Sequence, residues 1–142
     1  MITPLNIVQH ARNGNVISDY PDVDNHRVRV LNRDVELLIA GKKVLVKTGF
    51  KWDEASVPFW LLWAFPKSGK YAYAALPHDV AYYSKFCTRY EADKEYLNYS
   101  LAFSHPFSAW CRFAGVRLFG WLYWNRKRSK MALENETKII VL

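Results

Sequence analysis

Five side chains within residues 70–99 are of types able to do chemistry together: His78, Asp79 and Tyr82, then Arg89 and Asp93. A neutral imidazole takes a proton from water when a carboxylate holds its other ring nitrogen, and Asp93 is placed for that holding role. Tyr82 stands at i+4 from His78, on the same helical face, within reach of the same distant carboxylate. Asp79 lies about 100° round the helix from His78 and points elsewhere, where it suits a hard cation such as Ca²⁺ completed by backbone carbonyls and water. Arg89 and Asp93 are at i,i+4, the spacing of a helical salt bridge. The same residues also compose a buried polar lock, with His78 hydrogen-bonded to Asp93 between two helices and Arg89 neutralising the carboxylate. Spacing alone leaves both readings open.

Three helices must position these groups. An Ala- and Tyr-rich helix over 71–83 contains Pro77, whose missing amide predicts a bend or restart just before His78. A connection over 84–88 leads to a second helix over 89–103. Antiparallel packing across so short a connection brings residues at similar distances from the turn together, so His78 faces Asp93. His105-Pro106 then opens a third helix, 107–124, apolar almost all round. Such a helix is stable in water when surrounded, which predicts a central element with Phe113, Val116, Leu118, Phe119 and Leu122 largely buried. Arg112 and Arg117 on that helix then require partners.

Upstream, residues 1–26 are polar and turn-rich, with Asn13-Gly14-Asn15 and Tyr20-Pro21-Asp22 as turns, and predict an irregular start. Val28, Val30, Val35–Ile39 and Val44–Val46 read as short strands of one small antiparallel sheet, with Ala40-Gly41-Lys42 as a hairpin turn. Residues 49–58 read as a loop in which Asp53 or Ser56 caps a helix beginning near Pro58; Asp53 is also a candidate metal ligand. Phe59–Phe65 is an apolar run suited to the core or to a membrane-facing knob. Lys67-Ser68-Gly69-Lys70 is a loop lacking the spacing of a phosphate-binding loop. Residues 125–130 are a basic cluster at a helix end, and 138–142 read as a last edge strand. The expected architecture is α+β, with a small N-terminal antiparallel sheet packed beside a three-helix region. A single domain covers 1–142: strands and loops to 48, the motif loop and helices over 49–124, and a basic tail beyond.

The chain has 142 residues, enough for one real core and too few for two. With 51% hydrophobic and 23% charged residues it is no disordered tail, and 16% aromatics mean large surfaces buried or presented to something apolar. A net charge of +7 favours anionic partners. Cys87 and Cys111 form neither a metal spacing nor a disulfide framework. His10, His26 and His105 have no spacing for a tandem-histidine metal cage. The start lacks the pattern of a signal peptide, and Arg112 and Arg117 interrupt the longest apolar run, so the expected location is the cytosol of the producing cell, without a spanning helix.

Four blocks in order carry a family resemblance: Gly49-Phe50-x-x-Asp53-x-Ala55-Ser56-Val57-Pro58, Ala74-x-x-x-His78-Asp79-x-x-Tyr82, Arg89-x-Glu91-Ala92-Asp93 and Gly115-Val116-Arg117-Leu118-Phe119-Gly120. They resemble the phage-borne domain-of-unknown-function family numbered 1353, which implies a bacteriophage or prophage origin and supplies no activity. His78-Asp79-Val80-Ala81-Tyr82 is also similar to the helical His-Asp-x-x-Tyr motif of phospholipase A2 enzymes. That similarity implies His78 as base, Asp79 as calcium ligand and Asp93 as orienting carboxylate. Three functions therefore compete. The favoured one is a non-catalytic virion, assembly or host-interaction component whose partners are other phage proteins or host envelope phospholipid. The second is a calcium-dependent lipid ester hydrolase acting on the host envelope. Nucleic-acid binding through Arg126–Lys130 comes last, because no known binding module accompanies the cluster.

Overall fold

Alternating burial shapes the first ordered hairpin. Val35, Leu37 and Ile39 on β3 (Val35–Ile39) and Val44 and Val46 on β4 (Lys42–Val46) point one way and are buried, while Lys42 and Lys43 stay in water. The register pairs Leu37 with Val44 and Ile39 with Lys42, leaving Ala40 and Gly41 as a two-residue loop. Both loop residues have positive φ, 51° and 75°, as the twist of such a hairpin demands.

The computed structural model describes residues 2–12, 17–20, 28–53, 69–103, 105–125 and 135–142. In chain order the remaining elements are α1 (Ile7–Arg12), β1 (Ile17–Tyr20), β2 (Val28–Leu31), β5 (Lys51–Asp53), α2 (Gly69–Ser84), α3 (Arg89–Phe103), α4 (Pro106–Trp124) and β6 (Ile139–Val141). The fold is α+β, with two three-stranded antiparallel sheets of strand order β1-β2-β5 and β3-β4-β6. This corrects the single sheet expected from the sequence: β2 pairs with β1 and β5, and the β3–β4 hairpin pairs with β6 instead. The expected C-terminal strand does form, with Val44 opposite Val141. The expected irregular start contains α1 and β1, and the expected loop after Gly49 contains β5.

The buried amide of Asn135 reaches from the C-terminal segment to β5. Its Oδ1 accepts from the Lys51 N–H at 3.0 Å and its Nδ2 donates to the Lys51 carbonyl at 2.5 Å, so one side chain satisfies both backbone groups as a neighbouring strand would.

In α3, Thr88 and Glu91 form a reciprocal cap: the Thr88 hydroxyl accepts from the Glu91 N–H, and the Glu91 carboxylate accepts from the Thr88 N–H. The fully buried Tyr99 hydroxyl lies 2.8 Å from the Leu38 carbonyl, and Glu95 accepts from the Ala40 N–H at 3.3 Å, so α3 is fastened to the hairpin. Since α3 also packs against α1, α2 and α4, it is the central helix. α2 starts two residues earlier than the sequence suggests, taking in Gly69 and Lys70, and continues through Pro77 without a restart.

The expectation for α4 is overturned. Leu118 is 65% exposed and Leu122 51%, while Phe113, Val116 and Phe119 are only half-buried. An all-round apolar helix needs neighbours on every side to be central, and α4 has its main neighbour, α3, on one side. The helix expected near Pro58, the apolar run Phe59–Phe65, the turn at 13–15 and the basic cluster 126–130 lie outside the described residues, as does the turn expected at 20–22 beyond Tyr20, which ends β1.

Candidate functional site

Asp93 on α3 is fully buried, and donors from three helices surround its carboxylate. His78 Nε2 on α2 is 3.0 Å from Oδ1, and the Tyr82 hydroxyl, one turn further along α2, donates to the same oxygen at 2.5 Å. On Oδ2 the donors are Arg89 Nη1, from the preceding turn of α3 at 3.4 Å, and Arg117 Nη1, from α4 at 2.9 Å. A carboxylate offers about four lone-pair positions, and here each has a donor. The antiparallel α2–α3 hairpin thus makes the expected contact between His78 and Asp93, and the i,i+4 pair of Arg89 with Asp93 forms as well.

Arg89 does a second job. Its Nη1 donates to the carbonyls of Val116 at 3.1 Å and Arg117 at 3.2 Å on α4. These are reachable because residue 120, one turn beyond Val116, is glycine: a Cβ there would collide with the Tyr82 hydroxyl and lie 3.3 Å from Arg89 Nη1. Gly120 is therefore the point of close approach between α4 and the hairpin.

Asp79 departs from the sequence expectation. Its carboxylate does not point away from His78 but lies 3.5 Å from Nδ1, so the imidazole sits between two carboxylates. Burial opposes a charge on His78, yet the hydrogen bonds to Asp79 and Asp93 and their negative charge outweigh it, and the pKa is raised above the ordinary 6.5. The two carboxylates thereby favour the imidazolium more than water does around a free histidine. Burial, and then the hydrogen bond to Asp93, raise the Tyr82 hydroxyl, which stays a donor. The rings of Tyr82 and Tyr96 flank the imidazole, with centroids 4.2 and 4.9 Å away.

Of the other candidate residues, Asp53 ends β5, with its backbone opposite Val28, and Ser56 lies outside the described residues. Among the described residues no three His, Cys, Asp or Glu side chains gather as a metal-binding group. Cys87 is pushed up to about 11 by burial and by Glu91 and Glu95, which keeps the thiol protonated and a poor nucleophile. Sequence reasoning singled out Arg117 without its partner and missed Gly120's role. The signal for both was the Gly115–Gly120 block, in which a cation and a residue without a side chain stand three apart on a helix.

The chain belongs to the family described as protein of unknown function (DUF1353), whose model matches residues 31–116. The match covers β3, β4, β5, α2 and α3 and ends one residue before Arg117, so it contains Asp93 and three of its four donors. Neither the curated proteins nor the solved structures contain a significant match.

Proposed function

We propose that this family member is a non-catalytic interaction component of a bacteriophage or prophage, with the Asp93 centre fastening three helices into a rigid support. The phage assignment rests on the resemblance of the four sequence blocks. The observation that carries the non-catalytic reading is the full set of donors on Asp93 together with a carboxylate at each nitrogen of His78. A base must offer a lone pair to the proton it takes. Here Nε2 faces one carboxylate and Nδ1 the other, so both ring nitrogens are engaged within the fold, and the raised pKa favours the protonated ring.

One observation favours calcium-dependent lipid ester hydrolysis as the second reading. His78 Nε2 and the Tyr82 hydroxyl share Asp93 Oδ1, so Nδ1 is directed to the Asp79 carboxylate, the group a bound cation would draw away. The test is fatty-acid release from anionic phospholipid vesicles with calcium or a chelator, together with melting of the protein across a calcium titration. The non-catalytic reading expects no release and no calcium-dependent rise in melting temperature. Release that is abolished in Asp79→Asn, with the variant still folded, would establish the hydrolase in its place.

A further inference from the structure

Every exposed position described on α4 is apolar: Pro106, Phe107, Trp110, Ala114, Leu118, Trp121 and Leu122. At about 100° per residue, those from Phe107 onward fall within an arc of roughly 120° running the length of the helix. The opposite side holds the buried Ala109, Arg112 and Gly120, the last against Tyr82 and Arg89. Scattered exposed apolar residues are ordinary on a protein surface. A continuous stripe of Trp, Phe and Leu, each more than half exposed on one helix, marks a surface that meets something apolar.

We infer that this face seats the protein on an anionic phospholipid surface, with α4 lying in the plane of the headgroups. The inference rests on the interaction-component reading and names the partner. No described helix is long and apolar enough to cross a membrane, which leaves α4 to lie on one. Charge identifies the lipid as anionic. α4 has no Asp or Glu, the chain carries +7, and the sequence runs directly from the helix into Asn125-Arg126-Lys127-Arg128-Ser129-Lys130. Arg117 stands at the margin of the stripe, one third exposed, with its guanidinium 5.3 Å from the centre of the exposed Tyr90 ring. An apolar face with Trp and Phe, a cation at its edge, a basic stretch next in sequence and no acidic residue on the helix is the composition of a helix held at a lipid interface. A second copy of the chain would cover the apolar stripe but set +7 against +7.

The test uses the full chain with vesicles of phosphatidylglycerol and phosphatidylcholine in equal parts, and with phosphatidylcholine alone. The protein is expected to float with the anionic vesicles, to show blue-shifted tryptophan emission quenched by brominated acyl chains, and to bind more weakly as salt rises. Leu118→Glu combined with Trp121→Glu changes exposed positions only; it should melt as the parent does and partition roughly tenfold less or worse. Phe107→Ser with Trp110→Ser, at the other end of the stripe, should act in the same direction. Absence of flotation by folded protein overturns the inference, as does equal flotation with phosphatidylcholine alone. A dimer by light scattering that Leu118→Glu separates, without flotation, would assign the face to a second copy and overturn it too. Fatty-acid release measured on the same vesicles separates the two claims. Binding with calcium-dependent release defeats the non-catalytic reading alone, whereas no binding and no release defeats the lipid inference alone.

Discussion

Replacing Asp93 by Asn tests the fastening directly, because the amide keeps the shape of the carboxylate while removing its charge and two acceptor positions. Hydrogen bonds to a charged group contribute about 1.5–3 kcal/mol each and neutral ones about 1. Three cationic donors and one hydroxyl would thus sum to roughly 6–10 kcal/mol if each were lost outright. That sum is too large, since the side chains of Arg89 and Arg117 are 21% and 33% exposed and can turn partly to water. What cannot be recovered, below pH 6.5 where the raised pKa keeps the proton on His78, is the imidazolium of that buried ring facing an amide, and breaking one partner of a buried pair costs about 3–5 kcal/mol. The expected loss is therefore about 3–4 kcal/mol, which lowers the melting temperature by roughly 10 °C in a chain of this size. Urea unfolding of both proteins at one pH gives the difference directly. A loss below about 1 kcal/mol would refute the reasoning, since it is the value of a surface ion pair.

Gly120→Ala should cost about 2–3 kcal/mol by thermal or urea unfolding, because the added methyl meets the Tyr82 hydroxyl and forces α4 off the hairpin; a neutral effect would mean that the contact is loose. The raised pKa of His78 predicts a pH dependence of definite sign: its stabilisation is complete below the unfolded value of 6.5 and is lost as pH rises through the higher folded value. The melting temperature should accordingly fall from mildly acidic to mildly alkaline pH, and His78→Gln should lower stability and flatten that slope. Ala40→Asn should stabilise the protein by about 0.5–1 kcal/mol, since Ala40 holds φ 51° in the hairpin loop and asparagine tolerates that region better; no gain in urea unfolding would indicate that the loop relaxes without cost.

Several features that depend on neighbours along the chain were readable from the residues alone. The hairpin turn at Ala40-Gly41, read one residue too long to include Lys42, the bounds of α3, the Arg89–Asp93 pair and the shared face of His78 and Tyr82 follow from backbone sterics and helical periodicity. The meeting of His78 with Asp93 followed as well, because a short connection between two helices leaves little freedom in which residues face each other. Only the tertiary structure decided which strands share a sheet, since β2 offers the same alternating side chains to β5 as it would to β3, and pairing is settled by where the rest of the chain can go. It alone supplied Arg117 as the fourth donor on Asp93 and Asn135 as the partner of β5, contacts that span 24 and 84 residues and whose partners no local pattern names. The placement of α4 was also hidden, for a physical reason: apolar side chains on every face give the helix no polar side to turn to water, so its pattern does not say which face the rest of the chain covers.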